Sequence, residues 1–329
     1  MNDDKILRLN DKLIYEDNCD TNPEEELLMK KGFASPIRTD VQMGYDYYRD
    51  ENGVSRLGEV VLSHLHNHIT VGGINFILEK AFGTKAGIVI KNLNEKYGIG
   101  TNVHKANIDD KGSRIMLFNI GLDGCGAAYS DIKEVLVQQN DVVPIGEDNV
   151  YGSMIPFRVV DVGESVTDDP GVGGPYWFKK TIETEAADGT LIKKDHYYLK
   201  EFEKPISGSV PNPEIINRWR DNGVDDGTVV TDNPENSSRS EGIESYAEIV
   251  LRINRNDLRE YFDTYQSKKD ARFNSIGLCS GIKSSVYDED NETTYFEYTD
   301  VRQISVLNFS NEMLHFEKDL TIIYRIYLS

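Results

Sequence analysis

The chain of 329 residues carries 36 Lys and Arg against 56 Asp and Glu, which gives a formal net charge of −20 at pH 7. A surface of this charge repels phosphate backbones, so the composition argues against nucleic acid as a partner. The sequence has no run of about 18 apolar residues and no apolar stretch near its first residue, so it predicts neither a membrane-spanning helix nor a signal peptide.

Residues 1–50 show weak hydrophobic periodicity and are predicted to form an N-terminal arm. Within them, Asn22-Pro23 followed by three glutamates is typical of a helix start, because carboxylates stabilise the positive end of a helix. An arm of this kind becomes ordered by wrapping a neighbouring subunit, or it remains a loosely attached tail. The sequence leaves both possibilities open.

A globular pattern begins near residue 51, and residues 51–165 together with 241–329 are predicted to form one discontinuous core. In its first half, apolar residues at helical spacing between Ile74 and Phe82 predict a helix that ends before Gly83. The other expectations for this half are strand or extended chain over 59–71, strands over 115–120 and 154–162, and a short helix over 130–138.

Residues 166–240 are predicted to form an inserted subdomain, because they open with the turn-forming run TDDPGVGGP. Two strand-like runs, YWFKKTIETE and LIKKDHYYLKEFE, flank Ala187-Asp188-Gly189 and predict a hairpin. Asn212-Pro213-Glu214 then has the pattern of a helix start, with Ile215, Ile216 and Trp219 on the helix that follows.

The second half of the core is predicted to consist mostly of strands. Residues 244–254 predict a strand, and Asn256 or Asp257 precedes apolar residues at helical spacing that predict a short helix ending near Tyr265. Further strand patterns follow, with a hairpin turn expected over Asp288–Asn291.

Residues 320–328 show the clearest pattern of the chain. Apolar residues alternate with their neighbours from Leu320 to Leu328, which is the period of two of a half-buried strand. We expect this strand to pair with residues 301–309. Because strand patterns outnumber short helical ones, the sequence predicts a mainly β fold, a β-sandwich core with short helices and an inserted subdomain.

Three histidines, His64, His66 and His68, alternate within five residues. On a strand, such positions share one face, so three imidazoles would converge on zinc or another transition metal. The spacing is similar to the HxHxDH motif of metallo-hydrolases, but the Asp-His ending of that motif is missing after Asn67, and further ligands would be required. The histidines are therefore a candidate metal site, and the ordinary polar face of a strand is the alternative.

The sequence carries no other catalytic signature. Gly121, Gly124 and Gly126 run in the reverse order of a dinucleotide-binding loop and predict a tight turn. There is no GxSxG, and the cysteines, Cys19, Cys125 and Cys279, have neither metal-binding spacing nor an active-site context. We therefore expect reduced thiols, no cofactor and no enzymatic activity.

The order of several segments resembles virion structural proteins of tailed bacteriophages, over much of residues 57–329. The segments are NHITVGGINFILEKAFG, SRIMLFNIGLDGCGAAYSD, SMIPFRVV, HYYLKEFE, YAEIVLRINRNDLREYF, FNSIGLCSG and TDVRQISVLNFSNEMLHFEKDLTIIYRIYL. Similar endings occur in tail, baseplate and neck components.

The resemblance implies a β-rich subunit that oligomerises in the particle and carries no catalytic residues. Its implied partners are other virion proteins and copies of itself, without nucleic acid or membrane, and its implied location is the virion, assembled in the host cytoplasm. Two alternatives remain: a metal-dependent hydrolase using the three histidines, and a carbohydrate-binding receptor module using aromatic residues around Trp177.

Overall fold

The computed structural model describes residues 37–65, 68–69, 71–82, 93, 112–122, 125–127, 134–136, 154–164, 166, 176–186, 188–203, 212–221, 224–229, 243–265, 271–288, 292–313, 315 and 317–328. These residues form sixteen strands and two helices, so the predicted mainly β class is confirmed. The helices are α1 (Val71–Phe82) and α2 (Arg259–Tyr265).

The strands in chain order are β1 (Ile37–Arg49), β2 (Ser55–Leu65), β3 (His68–Ile69), β4 (Arg114–Gly121), β5 (Cys125–Ala127), β6 (Glu134–Leu136), β7 (Met154–Ile155), β8 (Arg158–Asp161), β9 (Tyr176–Glu185), β10 (Leu191–Glu201), β11 (Glu214–Asp221), β12 (Val224–Val229), β13 (Ile243–Ile253), β14 (Arg272–Asp288), β15 (Thr293–Met313) and β16 (Leu320–Leu328).

Two antiparallel sheets contain nearly all of these strands. Sheet 1 has the order β12–β11–β13–β16–β1–β2, and sheet 2 has the order β3–β15–β14–β4–β10–β8. In sheet 2, β7 also pairs with β4 and β9 with β10, while β5 and β6 form a separate two-stranded ribbon. This architecture is compatible with the predicted β-sandwich.

The main core lies between the two sheets. In sheet 1, alternate residues of neighbouring strands form cross-strand rows, such as Val41, Tyr324 and Ile249, whose side chains are all buried. The facing residues of sheet 2 include Phe273 and Phe309, whose rings meet edge to face at 5.2 Å. Burial of two facing apolar layers is the main stabilising term of such a fold.

The closing strand β16 is central to sheet 1. The predicted strand over 320–328 is confirmed, but its predicted pairing with residues 301–309 is wrong. Those residues belong to β15 in sheet 2, and β16 pairs instead with β1 and β13. The partner β1 comes from a segment of weak periodicity, so the predicted N-terminal arm would have to end before Ile37.

The hairpin of β1 and β2 folds back across the outer face of sheet 1. Asp46 has a left-handed backbone conformation, with φ of 57°, and the ladder between the two strands shifts register. These irregularities let the hairpin bend, because a bulge increases local twist and redirects a strand. Arg49, near the hairpin tip, consequently reaches Glu214 on β11, two strands beyond β16 in the sheet.

The region predicted as an insertion contributes strands to both sheets. The predicted hairpin over 176–201 is confirmed as β9 and β10, and β10 pairs with β4 and β8 of sheet 2. The helix predicted from Asn212 is wrong, because residues 214–221 form strand β11, which pairs with β13 of sheet 1. The boundaries of the predicted subdomain stay a prediction.

Most of the other predicted helices and strands are present in the structure. The helix over 74–82, the strand over 115–120, the strand over 244–254 and the helix ending near Tyr265 are confirmed as α1, β4, β13 and α2. The strand over 154–162 is interrupted after Ile155 and becomes β7 and β8. The short helix over 130–138 is wrong where the structure describes it, because residues 134–136 form β6. The predicted helix at Asn22 lies outside the described residues.

Neither helix in the described part of the chain combines the length and apolar content needed to cross a membrane.

Candidate functional site

The predicted histidine cluster does not form on one continuous strand. His64 lies near the end of β2 in sheet 1, whereas His68 lies in β3 of sheet 2, so the chain changes sheet between them. His64 has φ of 54°, its side chain is exposed, and Nδ1 is 3.5 Å from Oδ1 of Asp40. His66 and the side chain of His68 lie outside the described residues. Metal binding by this cluster therefore stays a prediction, without the single-strand geometry on which it was based.

A buried ionic network lies where β9, β10 and the β13–α2 connection meet. The Lys200 ammonium, fully buried, donates to Oδ2 of Asp257 at 2.8 Å and to the carbonyl of Arg252 at 3.0 Å. The carboxylate of Glu203 lies 2.5 Å from the same ammonium. Two carboxylates thus compensate one buried cation, which is the condition for a charge to remain inside a protein.

Tyr176 completes this network. Its hydroxyl donates to Oδ1 of Asp257 at 2.6 Å, while Oδ2 of Asp257 also accepts the backbone N–H of Asn254 at 2.9 Å. Burial, and next the negative charge of Asp257, raise the pKa of Tyr176 far above its ordinary value. Tyr176 therefore stays protonated and acts as a hydrogen-bond donor to the carboxylate.

Arg158 extends the network to α2. Its guanidinium makes a two-point hydrogen bond with Glu260, at 2.7 and 2.8 Å, and lies 5.5 Å from the centre of the Tyr176 ring. Burial opposes the charge of Arg158, but the bonds and charge of Glu260 outweigh it and leave the pKa raised. Through these contacts the network connects β8, β9, β10 and α2.

A second network secures the folded-back hairpin on sheet 1. Glu248 of β13, almost fully buried, accepts from Nε of Arg325 at 2.9 Å and from the hydroxyl of Ser55 on β2. Arg325 also donates to the backbone carbonyl of Ser55 at 3.1 Å, and Arg49 pairs with Glu214 at 2.5 Å. These bonds join β1, β2, β11, β13 and β16, so ion pairs hold the bend of the hairpin.

Aromatic side chains join the two long hairpins of sheet 2, β9–β10 and β14–β15. The Trp177 ring meets the Tyr298 ring edge to face at 4.7 Å. Nζ of Lys283 lies 5.3, 5.4 and 5.6 Å from the ring centres of Trp177, Phe296 and Tyr298, and is bound by the Glu201 carboxylate at 2.8 and 2.9 Å. Trp177 is thus engaged in a contact between hairpins, which is a structural role beside the predicted carbohydrate platform.

The β14–β15 hairpin presents aromatic side chains to solvent beyond this junction. Phe296 is 56% exposed and Tyr287 is 58% exposed. In the ladder, Ser285 is opposite Phe296 and Tyr287 is opposite Thr294, so the two rings occupy diagonal positions on one face. We call Tyr287 and Phe296 the tip surface. Large exposed aromatic groups on a rigid hairpin are typical of a contact site between proteins.

The end of the β9–β10 hairpin exposes aliphatic groups in a similar way. Leu191 is 58% exposed and Ile192 is 39% exposed, close to the turn over Ala186–Thr190. The sequence predicted this hairpin but not its exposed apolar end, because alternation alone does not tell which part of a strand extends beyond the sheet.

Comparison with known proteins adds no family to these observations. No protein-family model, no curated protein and no solved structure matches this chain.

Proposed function

We propose that this chain is a structural subunit of a tailed-bacteriophage virion. It oligomerises in the tail, baseplate or neck and head-vertex assembly, and acts by contacts with other virion proteins and with copies of itself. Its assembly takes place in the host cytoplasm. The segment pattern of residues 57–329, which resembles virion structural proteins, supports the virion part of this proposal.

The observation that carries the assembly part is the tip surface. Tyr287 and Phe296 lie side by side on one face of β14–β15 and expose more than half of their surface. Aromatic residues are enriched where protein interfaces are energetically strongest, because they bury a large apolar area at small entropic cost. A second subunit that covers this face would remove both rings from water.

The rigid support behind the tip also favours assembly. Lys283, on the same face of the hairpin, is held by Glu201 and surrounded by three aromatic rings, one of which is Phe296. A surface that is already ordered loses less conformational entropy when it binds. The net charge of −20 keeps free subunits apart, so only contacts that outweigh the repulsion persist.

The solution mass of the purified full chain tests this proposal. We expect oligomers at micromolar concentration, and a shift to monomer in the Tyr287→Ser, Phe296→Ser double variant. Val162→Ser is the matched control, because Val162 is an apolar residue of similar exposure, 55%, outside both hairpins. A wild-type chain that stays monomeric at all concentrations, or a double variant with the same mass distribution as the control, would contradict the assembly role of the tip.

A further inference from the structure

An apolar cavity of about 250 Å³ lies between the two sheets, at the end away from the α2 network. Among the described residues, its lining is mostly aliphatic and includes no charged side chain. Isoleucines come from both sheets and from α1, and the hydroxyl-bearing residues of the lining are Thr39, Ser245, Tyr246 and Ser305. The described residues of the lining are Thr39, Ile69, Ile77, Ile115, Ile215, Ser245, Tyr246, Ala247, Leu278, Ile304, Ser305 and Ile326.

The cavity has a clear origin in the residue rows of sheet 1. In the middle of the sheet, the row across β1, β16 and β13 consists of Val41, Tyr324 and Ile249, which fill the space to sheet 2. Two residues further along, the row becomes Thr39, Ile326 and Ala247. Ile326 is smaller than Tyr324, and Ala247 is smaller than Ile249. The second row therefore leaves space that the facing isoleucines of sheet 2 do not fill.

The mouth of the cavity carries two isoleucines that face water. Ile215 of β11 is 75% exposed, and Ile77 of α1 is 37% exposed. Ile215 is the cross-strand neighbour of Ala247, so it continues the lining row to the edge of the cavity. An apolar molecule that enters would therefore be buried inside and would also cover these two side chains.

We propose that this cavity binds an uncharged aliphatic chain of about ten carbons. A dry apolar cavity of about 150 Å³ takes up benzene, with its six carbons, so the larger volume here fits a correspondingly longer hydrocarbon. The lining row crosses four strands, or roughly 14 Å, which matches an extended chain better than a compact ring. The part of the lining that the structure describes offers no partner to a charged head group, and the net charge of −20 repels anionic ones.

Titration of the full-length protein with 1-decanol, followed by calorimetry, tests this proposal. We expect saturable binding of one decanol per chain, and weaker binding of decanoate because of its charge. Ile215→Ser removes an exposed side chain from the mouth and is expected to weaken decanol binding by about tenfold. Leu191→Ser is the matched control, because Leu191 is also an exposed aliphatic residue on a strand but does not line the cavity.

A second variant fills the cavity from within. Ala247→Leu places a larger side chain in the lining row and is expected to abolish decanol binding; if it does not fold, the comparison of Ile215→Ser with Leu191→Ser decides. The absence of saturable decanol binding to the wild-type chain would overturn the proposal, and so would equal affinity in Ile215→Ser and the control. The proposal is independent of the assembly role, because it concerns different residues.

Discussion

At the scale of single residues, the structure is notable for charge that is buried and compensated. Lys200 and Asp257 are both inaccessible to solvent and form an ion pair at 2.8 Å. A buried pair of this kind adds little net stability relative to apolar residues, but the loss of one partner leaves the other charge without compensation. Substitution of a single partner should therefore lower the free energy of unfolding strongly.

Replacement of Asp257 should be among the most destabilising single changes in the chain. In Asp257→Asn, Lys200 keeps only one carboxylate partner and Tyr176 loses a charged acceptor, so we expect a loss of about 3–5 kcal/mol in the free energy of unfolding. Chemical denaturation of the purified variant measures this loss. Glu183→Gln is the control, because Glu183 forms an exposed ion pair with Lys193, and it should leave the denaturation midpoint nearly unchanged. Equal midpoints for the two variants would contradict the role assigned to the network.

His196 should make the fold sensitive to mild acid. The side chain is buried, Nδ1 is 3.2 Å from the carbonyl of Lys194, and Nε2 is 3.0 Å from the hydroxyl of Tyr265. Burial lowers the pKa of His196 below its ordinary value, so the unfolded chain binds the proton more readily than the folded one. This contribution to stability is complete above the unfolded pKa of about 6.5 and is lost as the pH falls toward the folded pKa.

Denaturation midpoints at pH 7.5 and pH 5.5 measure this effect. We expect the wild-type chain to lose stability between the two values, and His196→Gln to lose less, because glutamine does not titrate. His64→Gln is the matched substitution, since it makes the same change at an exposed histidine of β2. A His196→Gln variant with the full wild-type loss would rule out His196 as the titrating group.

At the scale of elements, the folded-back β1–β2 hairpin determines how sheet 1 is covered. It depends on a close approach at Gly44, where an added Cβ would lie 2.0 Å from the backbone oxygen of Glu59. No side chain fits at that distance, so the two strands must separate if glycine is replaced. The bonds from Arg325 and Glu248 to Ser55 would then be lost with the bend.

Gly44→Ala should consequently destabilise the chain by about 3 kcal/mol or more, at the upper end of overpacking effects. Gly58→Ala in the same hairpin is the matched control. Its Cβ would lie 3.1 Å from Cβ of Asp46, so a small adjustment accommodates it and a clearly smaller loss is expected. Thermal unfolding of both variants checks this order, and a reversed order would show that the hairpin is not constrained at Gly44.

Local patterns predicted where strands and helices occur better than they predicted which strands pair with each other. The alternation over 320–328 identified β16, but its pairing with β1 depends on a segment more than 270 residues earlier, which no local pattern reveals. At Asn212 the expected cap was overridden by tertiary contacts: its side chain binds both the N–H and the carbonyl of Val250, at 3.0 and 2.7 Å. The contact extends the ladder that β11 forms with β13.

The predicted metal site at the three histidines also depended on long-range structure. The spacing of His64, His66 and His68 has a defined meaning only if one strand carries all three residues. The chain instead leaves sheet 1 after Leu65 and enters sheet 2 at His68, where β3 pairs with β15. Such a crossing between sheets is set by long-range packing, so the sequence alone could not place these side chains relative to one another.

At the scale of the whole molecule, the two sheets share one core, and sheet 2 includes two long hairpins, β9–β10 and β14–β15. Buried ion pairs secure the hairpin bend in sheet 1 and the β9–β10 base in sheet 2. Each of these hairpins exposes two apolar side chains, Tyr287 and Phe296 on β14–β15 and Leu191 and Ile192 on β9–β10. Exposed apolar side chains on hairpins that are anchored by buried contacts suit a subunit that works by assembly.

The most direct test of the proposed function is whether this chain occurs in the virions of a tailed phage, determined by reconstruction of the particle. We expect several symmetry-related copies in the tail, baseplate or neck, with Tyr287 and Phe296 buried against a neighbouring subunit. A chain that is absent from the particle and strictly monomeric in solution would contradict it.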